Sequence, residues 1–299
     1  MRHTIFSRKL QSECTNDSRI LIIATLSIYI THSCLITALQ IWHIVLYRTY
    51  SDPCNVHVPQ FACIGLRFPA TVCMTLFAFL QLSMAAERSI ALWKRNNYET
   101  YGPRLGITFA IVSTIIAFAT TTWAMWDEDF SHNPVYCSAG TIRTADRLSL
   151  LFFVVCGIDL ATLLGVAALF SCNDIAMKRT RFNLNSSYQL HENYTVIRLI
   201  LPLSLFQTVC YAIFAGSSGI VSAFFHNITI FEYRTIFAAI YIIPYYTLIS
   251  PILMWSIIRY SQRLKAAKLK LLTKKRSGEN EVYFKTYSDM WNSVAAIKQ

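Results

Sequence analysis

"FPATVCMTLFAFLQLSMAAERSIALW", residues 68–93, stays almost wholly apolar from Phe68 to Ala86 and then sets an acid beside a base, Glu87 and Arg88. About 20 apolar residues, at roughly 1.5 Å of rise each, cross the hydrocarbon core of a bilayer as helix. The run therefore reads as a membrane span, and the charged pair marks the end where the span leaves the lipid. Working outward, the same test finds five more runs. The six are Ile20–Leu46, Phe68–Ala86, Leu105–Trp126, Leu148–Cys172, Val196–Phe225 and Thr235–Ile258, spans A to F.

The composition agrees. Of 299 residues, 54% are hydrophobic and 14% charged, against about 25% charged in soluble domains. No stretch alternates with period two over about ten residues, which excludes an outer-membrane barrel. Span A is longer than the roughly 7–15 residues of a signal-peptide core and lacks a small-residue cleavage site. It reads as an anchor. Gly216-Ser217-Ser218-Gly219 is expected to loosen the far end of span E.

The net charge of +11 is a matter of topology. Basic residues favour the cytoplasmic side of short membrane loops. Twenty-two of the 27 Lys and Arg residues fall on one side: in residues 1–19, around Arg88–Arg104, around Lys178–Arg198 and after span F. The other side has Arg48, Arg67, Arg143, Arg147 and Arg234, together with the acids Asp127-Glu128-Asp129. Both termini are thus expected in the cytoplasm, with the excess charge facing anionic lipid rather than nucleic acid.

Three of the nine cysteines, Cys54, Cys63 and Cys137, fall on the outer side, where disulfides persist. No Cys/His spacing suggests a metal site. Among the sequons Asn16, Asn185, Asn193 and Asn227, only Asn227 faces outward, in a loop too short for ready glycosylation. The domain reading is a cytoplasmic segment 1–19, a bundle 20–258, a basic juxtamembrane helix 259–276 and a flexible tail 277–299. In "RYSQRLKAAKLKLLTKKR", residues 259–276, Leu264, Ala267, Leu271 and Leu272 share one face, which suits a helix lying on the inner leaflet.

Several segments together resemble the nematode serpentine chemoreceptors of the class alpha, beta and alpha/beta group, with class alpha/beta the best match. "ERSIALWKRNNYE" (87–99) resembles their Glu-Arg motif followed by a Tyr-Glu pair, and "FNLNSSYQLHEN" (182–193) their loop before the sixth helix. "YYTLISPILMW" (245–255) resembles the end of their seventh helix, and "DPCNVHVPQFACIGLRFP" (52–69) their first outer loop. The resemblance implies an all-α membrane protein with a G-protein-coupled-receptor-like helix bundle. Since span B then answers to the third helix, "TNDSRILIIATLSIYITHS" (15–33) answers to the inner loop and second, and the six spans stand for helices 2–7.

It also implies roles. Glu87 and Arg88 would form a G-protein switch, with Tyr98 and Glu99 shaping the adjoining inner loop; the plain alternative is an Arg that snorkels to the headgroups. Cys63 stands twenty-five residues before Arg88, roughly 37 Å of helix, at the outer end of span B. A disulfide from Cys63 to Cys137 follows receptors of this shape, with Cys54 as the rival partner. Asp159, the one carboxylate well inside a span, would meet a ligand or sodium, or make a hydrogen bond across the bundle. Tyr241 and Tyr245, with Tyr246, would line a pocket, and His32 and His43 would be satisfied by neighbouring hydroxyls. Pro202, Pro244 and Pro251 would kink spans E and F.

The implied partners are a small chemical ligand, a heterotrimeric G protein and the lipid bilayer, with no cofactor, at the plasma membrane of chemosensory neurons. No hydrolase, metalloprotease or phosphate-loop motif is present, so no enzyme is expected. A small transporter or channel is the rival class, but its signs, repeated broken spans and several embedded charges, are missing; a truncated, non-signalling receptor fragment is the other alternative.

Overall fold

Pro59 has no backbone N–H to place in a helix, and its φ of −56° and ψ of 123° set the chain at the threshold of one. The helix that follows runs much further back than the apolar run of span B. In the computed structural model, which describes residues 16–49, 59–94, 103–128, 137, 144–179, 184–223, 229–263, 266–267, 284–286 and 288, it is α2, Gln60–Trp93. Around it stand α1 (Asn16–Thr49), α3 (Arg104–Ala124), α4 (Ala145–Arg179), α5 (Leu184–Ala223) and α6 (Ile230–Ala239), followed by α7 over 243–263. Six stretches among the described residues are long and apolar enough to cross a membrane, the last being Thr235–Arg263 across α6 and α7. The fold is a receptor-like bundle of membrane helices.

α2 packs against α1, α3, α4 and α5, which makes it the axis of the bundle. Burial follows: 61% of its most apolar stretch is enclosed, against 22% for α3. α3 turns small residues inward, burying Gly106, Ser113, Ala117, Thr121 and Ala124, so its backbone approaches α2 closely. There Thr75 meets Thr121 at 3.2 Å and Ser83 meets Ser113 at 2.8 Å. The opposite face of α3 exposes Ile107, Ile111, Ile115 and Phe118, which is the surface a lipid environment requires. The core is a cluster of rings around Tyr29, Phe77, Phe152, Tyr211, Phe214 and Tyr246.

Two sequence expectations are corrected. Residues 216–219 do not loosen span E: α5 is helical throughout them. Ser217 and Ser218 donate back to the carbonyls of Phe214 and Ala215, which satisfies the hydroxyls inside the helix, and Gly219 lets the Phe153 ring lie against the backbone. Nor is 182–193 a loop, since α5 begins at Leu184. Asn173 of α4 donates to the Leu190 carbonyl at 3.0 Å and accepts from Asn193 at 3.2 Å, and these bonds tie the early turns of α5 to α4.

The last span is broken. α6 opens with a capping box in which the Thr229 hydroxyl accepts from the Glu232 N–H and the Glu232 carboxylate accepts from the Thr229 N–H. That backbone donor holds the Glu232 carboxyl below the usual range. α6 ends at Ala239, and a tight turn through Ile240–Ile242, with Ile242 N–H on the Ile240 carbonyl at 2.9 Å, restarts the helix at 243. Pro244 therefore sits in the first turn of α7, where its missing N–H is harmless, and marks a break rather than a kink. Pro202 lies inside α5, Pro251 inside α7, and Pro69, unforeseen, inside α2.

The chain divides into two compact units, Met1–Ile252 and Leu253–Gln299. In the second, the Arg259 guanidinium lies 4.6 Å over the Trp255 ring, and 266–267 and 284–286 are helical. Most of the expected basic helix and tail lies outside the described residues.

A Cβ on Gly219 would come within 2.6 Å of the Phe153 ring. Phe153 is 49% exposed, so its ring can swing aside for one methyl but not for a branched side chain. Gly219→Ala should change stability by less than about 1 kcal/mol, whereas Gly219→Leu should cost about 1–3 kcal/mol, read as melting temperature in micelles.

Candidate functional site

At the end of α2 that carries the charged pair, Glu87 and Arg88 are both fully enclosed. The Arg88 guanidinium donates to both carboxylate oxygens of Glu87 through Nε and Nη2. Ser18, in the first turns of α1, donates to Glu87 Oε2 at 2.9 Å. A buried ion pair needs its remaining lone pairs filled, and Ser18 does this from a second helix. The result is a latch between α1 and α2. Tyr98 and Glu99 lie outside the described residues.

Across the middle of the bundle runs a chain of polar bonds. Tyr29 of α1 meets Tyr246 of α7 hydroxyl to hydroxyl at 2.7 Å, and Tyr246 donates to Gln207 Oε1. Gln207 of α5 in turn donates to Asp159 Oδ1 of α4 at 2.7 Å. Beside it Tyr211 donates to the Met74 carbonyl of α2 at 2.7 Å. Asp159 is buried with its second oxygen, Oδ2, unpartnered. The carboxylate thus ties α4 to α5. Gln207 was missed in the sequence because an amide in an apolar run carries no charge signal.

At the opposite end Cys63 of α2 is joined to Cys137 by a disulfide, with a Cα–Cα distance of 5.5 Å. The Cys137 N–H donates to His43 Nε2 at 3.3 Å, and Leu39, Leu46 and Leu66 pack around the bond. Cys54 and Asn227 lie outside the described residues. Nearby, Arg147 pairs with Asp127 at 2.6 Å, and Thr144 donates to Glu128 at 2.6 Å, which fastens the start of α4 to the end of α3.

Between this clasp and the ring core, His32 Nε2 lies 3.2 Å from the Tyr241 hydroxyl, which donates to Met74 Sδ at 3.3 Å. The Arg67 guanidinium stands over the Tyr241 ring, 4.8 Å from its centre. Arg67 was counted as a loop charge, yet it lies inside α2 at 7% exposure. Tyr245 departs from the expected pocket: it is 68% exposed. The break at 240–242 resets the helical phase, so Tyr241 and Tyr246 turn inward while Tyr245 faces the bundle's exterior.

The family described as serpentine type 7TM GPCR receptor class ab chemoreceptor matches residues 2–292. The chain belongs to that family. Among proteins of Caenorhabditis elegans, serpentine receptor class beta-17 is 22% identical to the receptor over 258 residues, covering 85% of this chain and 68% of the relative. Serpentine receptor class alpha-13 is 21% identical, covering 91% and 82%, and serpentine receptor class alpha/beta-14 is 24% identical over 54% of this chain and 43% of the relative. The receptor is an integral membrane protein of a GPCR-like receptor class.

Two outcomes follow. Gln207→Leu leaves Asp159 buried without its donor and should destabilise by about 1–3 kcal/mol, while joint Asp159→Leu/Gln207→Leu replacement should recover most of that loss; a double-mutant cycle of melting temperatures checks both. Cys63→Ser should lower the melting temperature by several degrees, and Cys137→Ser should do no further harm in that background.

Proposed function

We propose that the receptor is chemosensory. A small molecule binds among the helices from the disulfide end, and the Arg88 end, facing the cytoplasm, engages a heterotrimeric G protein at the plasma membrane of a chemosensory neuron. The observation that carries this reading is the latch. Arg88 is fully enclosed on Glu87, with Ser18 closing the pair from another helix. The Ser18 bond to that pair lasts only as long as α1 and α2 keep their relation. A rearrangement of the bundle opens it and hands a cation to whatever docks there.

The charge map supports the orientation: the basic residues gather at the Arg88 end. The polar chain Tyr29–Tyr246–Gln207–Asp159 supports the coupling, because it links α1, α7, α5 and α4 midway between the two ends. A ligand that prefers one arrangement of these bonds shifts the population toward it.

The test is G-protein nucleotide exchange in membranes from cells displaying the receptor, over a panel of volatile and water-soluble compounds. Glu87→Gln weakens the latch and should raise ligand-free exchange. A latch worth about 1.4 kcal/mol changes the two-state ratio tenfold, so a several-fold rise is expected. Arg88→Ala should abolish exchange while ligand binding persists. An undiminished response in Arg88→Ala removes the residue from this role.

A further inference from the structure

Arg67 is a buried charged side chain near the disulfide end for which the latch, the polar chain and the clasp have no use. We infer that Arg67, with His32 and Tyr241, forms an anion-recognition subsite, and that it takes the carboxylate of a small monocarboxylic acid with an apolar body. The inference deepens the proposed function and rests on its premise that a small molecule binds within the bundle.

The first reason is an unmet charge. Arg67 is more than nine-tenths buried, its Nε has no hydrogen-bond partner, and among the described residues no carboxylate or carbonyl accepts from its guanidinium. An enclosed cation without a counter-ion is costly. The Tyr241 face, 4.8 Å from the guanidinium, offsets part of this. The remainder is relieved when an anion arrives, and a carboxylate matches the planar fork of guanidinium donors.

The second reason is a second unpartnered nitrogen. His32 and Arg67 both touch Tyr241, and each holds a buried nitrogen, Nδ1 and Nε, without a partner. The single Tyr241 hydroxyl proton points at Met74 Sδ; turned to His32 Nε2 instead, it puts the imidazole proton on Nδ1, where it can meet an anion.

The third is access and surroundings. Arg67 lies one helical turn from Cys63, about 6 Å along α2, so it sits just within the disulfide end. Tyr241 stands in the broken stretch between α6 and α7, and breaks of this kind in membrane helices occur where they line binding cavities. The neighbours are Met74, Phe77 and Phe214. These apolar walls suit an alkyl or aryl body and oppose a doubly charged phosphate, whose dehydration costs far more.

The experiment uses the full chain in lipid nanodiscs, with tryptophan fluorescence read on heating. Hexanoate is the probe, and hexan-1-ol and hexanamide are its neutral counterparts. At millimolar concentration hexanoate should raise the melting temperature by several degrees and the neutral compounds by much less. Arg67→Gln should lose the difference and Arg67→Lys should keep part of it, with the Cys63–Cys137 bond confirmed in each by mass spectrometry. Arg88→Ala should keep the hexanoate response, which separates this subsite from the signalling latch. Three results overturn the subsite: no shift with hexanoate, equal shifts with hexanoate and hexanol, or a hexanoate shift that survives Arg67→Gln. Stabilisation by hexanol alone would refute the anion while leaving small-molecule binding in place.

Discussion

No water reaches the middle of a bilayer, so a polar side chain there turns for its partner to its own helix or to a neighbouring one. That constraint organises the bundle. Helices alone satisfy their own backbones, and the side chains then decide which helices meet. The hydroxyl of Tyr211 reaches the backbone of α2, the amide of Gln207 reaches α4, and the two asparagines Asn173 and Asn193 join α4 to α5. Apolar packing gives the contact area, but lipid tails offer much the same environment to a leucine. Polar bonds and small residues discriminate between neighbours.

The same constraint gives the charged groups their meaning. Glu87 and Arg88 neutralise one another, with Ser18 as the third member. Asp159 is held by Gln207. Arg67 has an aromatic face and, among the described residues, no acceptor for its Nε. These four enclosed charged groups therefore stand at three levels of satisfaction, and they fall at the two ends and the middle of the bundle. A closed latch, a braced centre and an anion-seeking donor are the parts on which the proposed signalling rests.

How much of this was legible depends on the kind of signal. Span number, the membrane setting and the Glu87–Arg88 pair follow from hydropathy and from charges that interrupt it. Arg67 escaped because a base next to an apolar run looks like a loop charge, and only the helix start after Pro59 reveals seven further residues of α2 before it. Tyr245 was placed inward because a run that is apolar all round gives no phase, and the phase is reset by a turn at 240–242. The Gly-Ser-Ser-Gly stretch misled for another reason. In water those residues favour loops, whereas in lipid the serine hydroxyls bond back to their own helix and a glycine becomes a seat for a ring. Ser18 and Gln207, neutral and small in signal, become visible only through their partners.

The bond between Cys63 and Cys137 has a consequence for biogenesis. Sulfurs oxidise to one another in the secretory lumen and stay reduced in the cytosol. A copy threaded through the translocon the right way up can close this covalent staple, whereas an inverted copy would carry two free thiols instead. The staple therefore records the direction of insertion in the molecule itself, as a covalent bond present in one orientation and absent in the other.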